Sequence, residues 1–224
     1  MAELFAAYDI VGAFWMTVRL AALTALGSLV LGTVVAVMRV SPVGVLRAFG
    51  TAYVTLVRNT PLTLIVVFCI FALYVNLQLT LAPKDAPLDL QSFLWGVVGL
   101  SVYHASFVAE ALRSGVNTVP PGQAEAARAL GLGFAATLTS VVLPQAFRGA
   151  VAPLGNVLIA LTKNTTVVAT IGVAEAAYLM RNMLEFSGSR LYLIFVVMAT
   201  GFVVLTLPIG LLSTWLSRRL AVQR

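Results

Sequence analysis

Apolar residues run through this chain in long blocks separated by short polar breaks. A helix needs about 20 mainly apolar residues to cross a hydrocarbon layer ~30 Å thick, and five blocks reach or approach that length. They are Ile10 to Met38, broken only by Arg19, then Leu62 to Ala82, Phe93 to Ala109, Val141 to Leu161 and Leu191 to Leu216. The pattern predicts an all-α integral membrane protein: one transmembrane domain over residues 1–224 with five transmembrane helices. The second block follows Arg58-Asn59-Thr60-Pro61, where Thr60 suits an N-cap and Pro61 the first helical turn. The fourth is the least lipid-like, carrying Pro144, Gln145, Arg148 and Asn156. Val167 to Met180 is apolar but too short to cross alone, and it contains Glu175. It is expected to form a re-entrant or interfacial helix, because irregular backbone at membrane depth must be covered by protein or water.

Composition sharpens this. Hydrophobic residues make up 60% of the 224 and charged residues 10%, with a mean hydropathy of +1.00. A soluble domain carries roughly 45–50% and about 25%, so a water-soluble enzyme is excluded. A single cysteine, Cys69, allows no intrachain disulfide. Glu3 and Asp9 precede the first block and no basic n-region or cleavage pattern is visible, so the first span is expected to stay in the mature protein. The net charge of +6 is not gathered into a basic stripe, and no nucleic-acid partner is expected.

The charges instead sort by side. Glu3, Asp9, Lys84, Asp85, Asp89, Glu175, Arg181, Glu185 and Arg190 fall on one side of the spans. Arg39, Arg47, Arg58, Glu110, Arg113, Glu125, Arg128, Arg148, Arg218, Arg219 and Arg224 fall on the other. Lys and Arg number three against nine, so the positive-inside rule puts the N-terminus outside and the C-terminus in the cytoplasm. Five crossings require the same. No internal repeat of the kind many secondary transporters carry is visible.

Residues 114–140, between the third and fourth spans, are neither lipid-like nor disordered in composition. Pro120-Pro121-Gly122 predicts a rigid turn, Gln123 to Leu130 a helix, and Gly131 and Gly133 its stop, with a second helix leading to Pro144. Ala124, Ala126, Ala127 and Ala129 keep the first helix slim enough for a partner's groove to close on it, with Glu125 and Arg128 as charged handles. An ordinary solvated connecting helix is the simpler alternative. No G-x-x-x-x-G-K-[ST] phosphate loop occurs, and His104 has no second histidine or acid at ligand spacing, so neither nucleotide nor metal binding is expected in this chain.

Glu125-Ala126-Ala127-Arg128-Ala129-Leu130-Gly131, followed by Leu143-Pro144, resembles the EAA loop of bacterial ABC-importer permeases. Arg58-Asn59-Thr60-Pro61-Leu62, Ala109-Glu110-Ala111-Leu112-Arg113-Ser114-Gly115 and Leu161-Thr162-Lys163-Asn164-Thr165-Thr166 with Ile171-Gly172 resemble the polar amino-acid uptake subfamily, which includes histidine and glutamate permeases. Within it, the chain is most similar to glutamate permease subunits of actinobacterial type. Many relatives have Gly where Asn59 stands.

The resemblance implies a multi-pass subunit in the bacterial cytoplasmic membrane with the type I importer fold and cytoplasmic coupling helices. It implies a second permease, favouring a paralogue and hence a heterodimer, an ATPase dimer that binds the ATP and Mg, and an extracytoplasmic substrate-binding protein. The chain itself is then not an enzyme. Glu125, Ala126, Ala127, Arg128 and Gly131 would couple it to the ATPase, and the cargo would be a polar amino acid, glutamate or aspartate first. A gradient-driven secondary transporter or channel subunit is the alternative, and it has no need of such a loop.

Ionisable groups at membrane depth cost about 2.5–3.5 kcal/mol on insertion scales, so they mark candidate function. Lys163 follows an apolar run and precedes Asn164, Thr165 and Thr166, three side chains able to hydrogen-bond a carboxylate or an ammonium. A lysine closing a helix C-terminus and snorkelling outward is the alternative. Arg19 lies well inside the first span, where it is open to a transport role or to pairing with Glu175 or a partner subunit. Asn76, Gln78, His104 and Asn156 are further candidates for the route, and Ser28/Gly32 and Ala146/Ala150 are small-residue pairs that allow close helix contact.

Overall fold

A computed structural model describes residues 7–83 and 85–220. The loop charges Glu3, Lys84 and Arg224 lie outside the described residues. Nine α-helices are found among them, several extended by π or 3-10 turns. Helix α1 spans Ile10–Val40, capped by the Asp9 carboxylate, which accepts from the Gly12 N–H at 2.8 Å. Helix α2 spans Gly44–Arg58, and α3 spans Leu62–Phe68 with a π-helical continuation over Cys69–Asn76. Helix α4 is Leu88–Val116, α5 is Pro121–Ala129 and α6 is Phe134–Thr137. A π turn over Leu138–Val142 leads into α7, Leu143–Asn164, which tightens to 3-10 over Thr165–Ile171. Helix α8 is Ala176–Phe186 and α9 is Leu191–Leu220.

Four helical runs are long and apolar enough to cross a membrane, and α2 with α3 makes a fifth if the bent pair is counted as one. The sequence places the second crossing over Leu62–Ala82, but the helix there ends at Asn76 and spans 15 residues with its π turn, roughly 22 Å at 1.5 Å per residue. Helix α2 precedes it, bent from it by 102°. The Tyr53 hydroxyl donates to the Val102 carbonyl at 2.6 Å, and Gly99 lies close to the Val66 backbone. The pair therefore lies along α4, α2 against its second half and α3 further toward its start.

Other bounds also differ from expectation. Helix α4 extends beyond Phe93–Ala109 at both ends. The fourth run is unbroken from Phe134 to Ile171, with Pro144 in the first turn of α7. Proline lacks the N–H that would reach back four residues, and the π turn at 138–142 lies where that donor is missing. Val167 to Met180 is not one helix. Its first part closes the 3-10 turn, Gly172 reverses the chain at φ +84°, and Glu175 caps a new helix.

Helix α4 sits centrally, against α1 on one side and α7 on the other. Both small-residue pairs lie at these contacts. A Cβ on Gly32 would meet Val108 at 2.6 Å and the Ala105 carbonyl at 2.8 Å, and one on Gly115 would fall onto the Ala146 carbonyl and Ala150. The main apolar cluster joins Leu20, Val66, Phe93, Trp95, Leu100 and Val168. Helix α9 meets the rest along one face only, leaving Val203, Val204, Leu207, Leu211 and Leu212 exposed, as a helix facing acyl chains or a second subunit does.

Candidate functional site

The connecting hairpin is built by its ends. Pro120 is extended at ψ 133°, and Pro121 occupies the first helical turn, where its missing N–H costs nothing. At the other end the Leu132 N–H donates to the Ala127 carbonyl at 3.1 Å and the Gly131 N–H to the Arg128 carbonyl at 2.9 Å. That pair of bonds is a Schellman cap, and it requires the left-handed backbone that Gly131 adopts at φ +85°. Helix α5 thus starts two residues before the expected Gln123 and stops where Gly131 was expected to stop it.

Ala127 is buried, tying α5 to the segment that follows, while Glu125, Ala126, Arg128, Ala129 and Leu130 face outward. Leu130 is 84% exposed, an apolar tip on an otherwise slim alanine helix. Arg128 bonds back to the Ala124 carbonyl through Nε at 3.3 Å, and Glu125 enters no ion pair among the described residues. The outward face carries one negative and one positive side chain, both free to meet a partner.

The second group is the polar end of α7. Thr165 and Thr166 return their hydroxyl protons to the Thr162 and Lys163 carbonyls, each at 2.8 Å. Asn164 meets His104 Nε2 of α4 at 3.3 Å, and His104 is buried with Nδ1 lacking a partner among the described residues. Lys163 is exposed and in no ion pair among the described residues. Thr165 is fully buried, contrary to its expected place on the route, so the Thr166 lone pairs, the Asn164 carbonyl and the Lys163 ammonium remain for a ligand, while the threonine protons and one amide contact are spent on the fold.

Arg19 does not pair with Glu175. Its guanidinium lies over the Phe93 ring, 5.4 Å from the centroid, a cation–π contact. Glu175 is fully buried and turned into its own helix, accepting from the Tyr178 N–H at 2.9 Å, with the Thr17 hydroxyl at 3.5 Å. Burial raises its carboxyl above the usual carboxylate range against these hydrogen bonds, which act to lower it. Asn76 is spent on the Phe71 carbonyl at 2.7 Å, Gln78 lines an open hollow with Tyr74 and Thr80, and Asn156 is exposed on α7.

A third group escaped the sequence reading. Glu110 of α4 gathers Arg39 of α1 at 2.6 Å, Arg113 at 3.6 Å and Arg58 of α2 at 3.8 Å. Three guanidinium groups share one carboxylate, and Arg58 also lies 5.2 Å from the Phe107 ring centroid. The only local signal was the three-residue spacing of Glu110 and Arg113. Neither Arg39 nor Arg58 can be assigned to it without the fold.

Comparison with known proteins places this geometry among transporters. The profile of the family described as "Binding-protein-dependent transport system inner membrane component" matches residues 28–222. The glutamate transport system permease protein GluC of Corynebacterium glutamicum is 53% identical over 214 residues, 95% of this chain and 94% of that one. The probable glutamine ABC transporter permease protein GlnM of Bacillus subtilis is 34% identical over 207 residues, 92% of this chain and 91% of that one. A crystal structure of an amino acid ABC transporter with histidines superposes with a TM-score of 0.82 at 26% identity, covering 97% of both chains.

Proposed function

Since the chain belongs to the family of binding-protein-dependent transport system inner membrane components, we propose that it carries glutamate inward as one permease subunit of an ATP-driven importer. It is a multi-pass membrane protein with the ABC-importer permease fold, in a family whose ATPase lies in a separate subunit and whose assembly includes a substrate-binding protein. Glutamate is supported by one observation above the rest: 53% identity, nearly end to end, with a glutamate permease.

The finer reading follows. The chain crosses five times, α2 and α3 together making the second crossing, with the N-terminus outside and the C-terminus inside. The Lys/Arg bias supports this. So does the gathering of Arg39, Arg58 and Arg113 at one end of the bundle, where basic residues belong on the cytoplasmic side. A paralogous permease completes the pore. Glu125, Ala126, Ala127 and Arg128, on the helix that Gly131 terminates, enter a groove of the ATPase dimer, which binds the ATP and Mg. Closure of the ATPases then swings the helices between inward- and outward-open states as rigid bodies. Lys163 and Arg19 lower the cost of passing an anionic amino acid, with Asn164 and Thr166 offering acceptors for its ammonium.

The test is uptake of radiolabelled glutamate into proteoliposomes holding the complete complex, with binding protein outside and Mg-ATP inside. Uptake that requires ATP and is competed by glutamate before glutamine or arginine is expected. Uphill uptake on a proton or sodium gradient without nucleotide would refute the reading.

A further inference from the structure

The Glu110 cluster sits beside an apolar cleft that the transport reading leaves unused. The cleft, about 200 Å³, is bounded by Thr33, Val37 and Val40 of α1, by Leu112 and Arg113 of α4, and by Phe147 of α7. Val37 and Phe147 are 44% and 57% exposed, so the cleft opens to the side of the bundle rather than to its interior. Thr33 to Val40 spans roughly 10 Å along α1, the length of the upper part of one acyl chain. Past Val40, Val116 and Leu138 the cleft continues into a second hollow of about 220 Å³ beneath α5. The walls of the first cleft are almost wholly apolar. The charged wall residue of the cleft itself is Arg113, at the end nearest the helix termini, while Arg128 lines the second hollow.

The charge balance says what belongs there. Glu110 is shared by three arginines, so the cluster keeps two uncompensated positive charges. Arg39 is nearly buried and makes the short 2.6 Å bond, so it spends most of the carboxylate. Arg113 stands 44% exposed and contacts Glu110 only at 3.6 Å, leaving guanidinium donors for an oxygen anion. Planar guanidinium groups bind phosphates with two parallel hydrogen bonds. A lateral apolar cleft with a cation at the interfacial end matches a molecule that is hydrocarbon below and phosphate above, and basic pockets between membrane helices do bind anionic headgroups.

We infer that this cleft between α1, α4 and α7 is a binding site for one anionic phospholipid, its acyl chain along Val37 and Phe147 and its phosphate on Arg113. The inference rests on the proposed topology only in assigning the lipid to the cytoplasmic leaflet. Through Glu110 the phosphate would join the ion network that ties α1, α2 and α4 together.

The test uses the complete transporter purified in mild detergent, with retained lipid counted by native mass spectrometry after incubation with equimolar phosphatidylglycerol and phosphatidylcholine. Retention of phosphatidylglycerol at least fivefold over phosphatidylcholine is expected. Arg113→Gln should cut that preference threefold or more, Arg113→Lys should keep part of it, and Val37→Trp, which fills the exposed cleft, should displace both lipids. Arg47→Gln removes the same charge from α2, away from the cleft, and should change nothing. Equal loss in Arg47→Gln and Arg113→Gln would mean diffuse surface attraction and overturn the site. Undiminished retention in Val37→Trp would overturn it too, as would equal retention of the two lipids or none, the result expected if a partner subunit fills the cleft. Each variant is scored only as an intact complex of wild-type elution volume, so Arg113→Lys or Val37→Trp decides the matter if Arg113→Gln fails to assemble. Glutamate uptake is not the readout, so a wrong lipid site and a wrong transport reading give different failures.

Discussion

Gly131 is the position where backbone geometry and the coupling proposal meet. Its φ of +85° closes the Schellman cap of α5, and an L residue forced into that region costs about 1–2 kcal/mol, a β-branched one at the upper end. No atom lies within 4 Å of a Cβ built there, so the cost is conformational rather than steric. In Gly131→Val the chain escapes it by opening the last turn, releasing the bonds to Ala127 and Arg128 and turning Arg128 away from the outward face it shares with Glu125. A penalty of 1–2 kcal/mol lowers the capped population by up to about 5- to 30-fold. If the capped hairpin engages the ATPase, ATP-driven uptake should fall toward that range while the purified complex keeps its size. Gly131→Asn should retain most of the activity, because Asn tolerates the left-handed region. Gly133→Ala is the control. Gly133 lies in open space with an ordinary φ of −67°, and its variant should transport like the wild type. Wild-type uptake in Gly131→Val, or equal damage from Gly133→Ala, would refute the argument.

Three further outcomes follow from the packing. Glu175→Ala removes the acceptor that caps α8, a loss of about 0.5–2 kcal/mol, whereas Glu175→Gln keeps an acceptor for the Tyr178 N–H and sheds the cost of a buried charge. The folded carboxyl titrates above its unfolded value, so its contribution is full below the unfolded pKa and declines as pH rises through the folded one. Melting curves of the complex from pH 5 upward should therefore decline less in Glu175→Gln than in the wild type, and a steeper decline would contradict the assignment. Glu110→Gln leaves Arg39, Arg58 and Arg113 without their shared counter-charge and should destabilise the protein by about 1–3 kcal/mol. Adding Arg39→Gln should recover part of that loss, which a double-mutant cycle on the melting temperature measures. Gly115→Leu drives a side chain into Ala146 and Ala150 and should cost about 1–3 kcal/mol by overpacking, read as reduced yield of folded complex.

Apolar run length located the long helices because a lipid-crossing helix needs little beyond hydrophobicity. It failed where the helical run is bent. Helix α2 carries Arg47 and Arg58 among its apolar residues, so it reads as a connector, and only the fold shows it packed along α4 and bent by 102° from α3. Leu77 to Ala82 reads as helix from its apolar residues, yet Gln78 turns to φ 52° and the chain leaves the helix after Asn76. Turn chemistry was more legible: Pro120-Pro121 and Gly131 bracket α5 within two residues, since proline and glycine fix backbone angles irrespective of context. The pairing of charges was the least legible. Glu175 and Arg19 invite pairing in the sequence, but one is consumed by a helix cap and the other by an aromatic ring, and composition does not contain that choice.

The same contacts favour the proposed second permease beside this subunit. On the polar end of α7 the threonine hydroxyls and the Asn164 amide are already engaged within the chain, while Lys163 and Asn156 face outward and Arg19 is exposed on α1. A cation at mid-bilayer facing acyl chains costs about 2.5–3.5 kcal/mol on insertion scales, so these side chains require water or protein beside them rather than lipid. The exposed apolar face of α9 has no such requirement. A second permease laid against the Lys163 and Asn156 face would cover the costly positions and leave that apolar face to lipid. Cysteines at Asn156 and Lys163 in the assembled complex should then react with membrane-impermeant maleimides that enter by water, and a cysteine at Leu211 should not. Equal protection of all three from aqueous reagent would remove the route from this face.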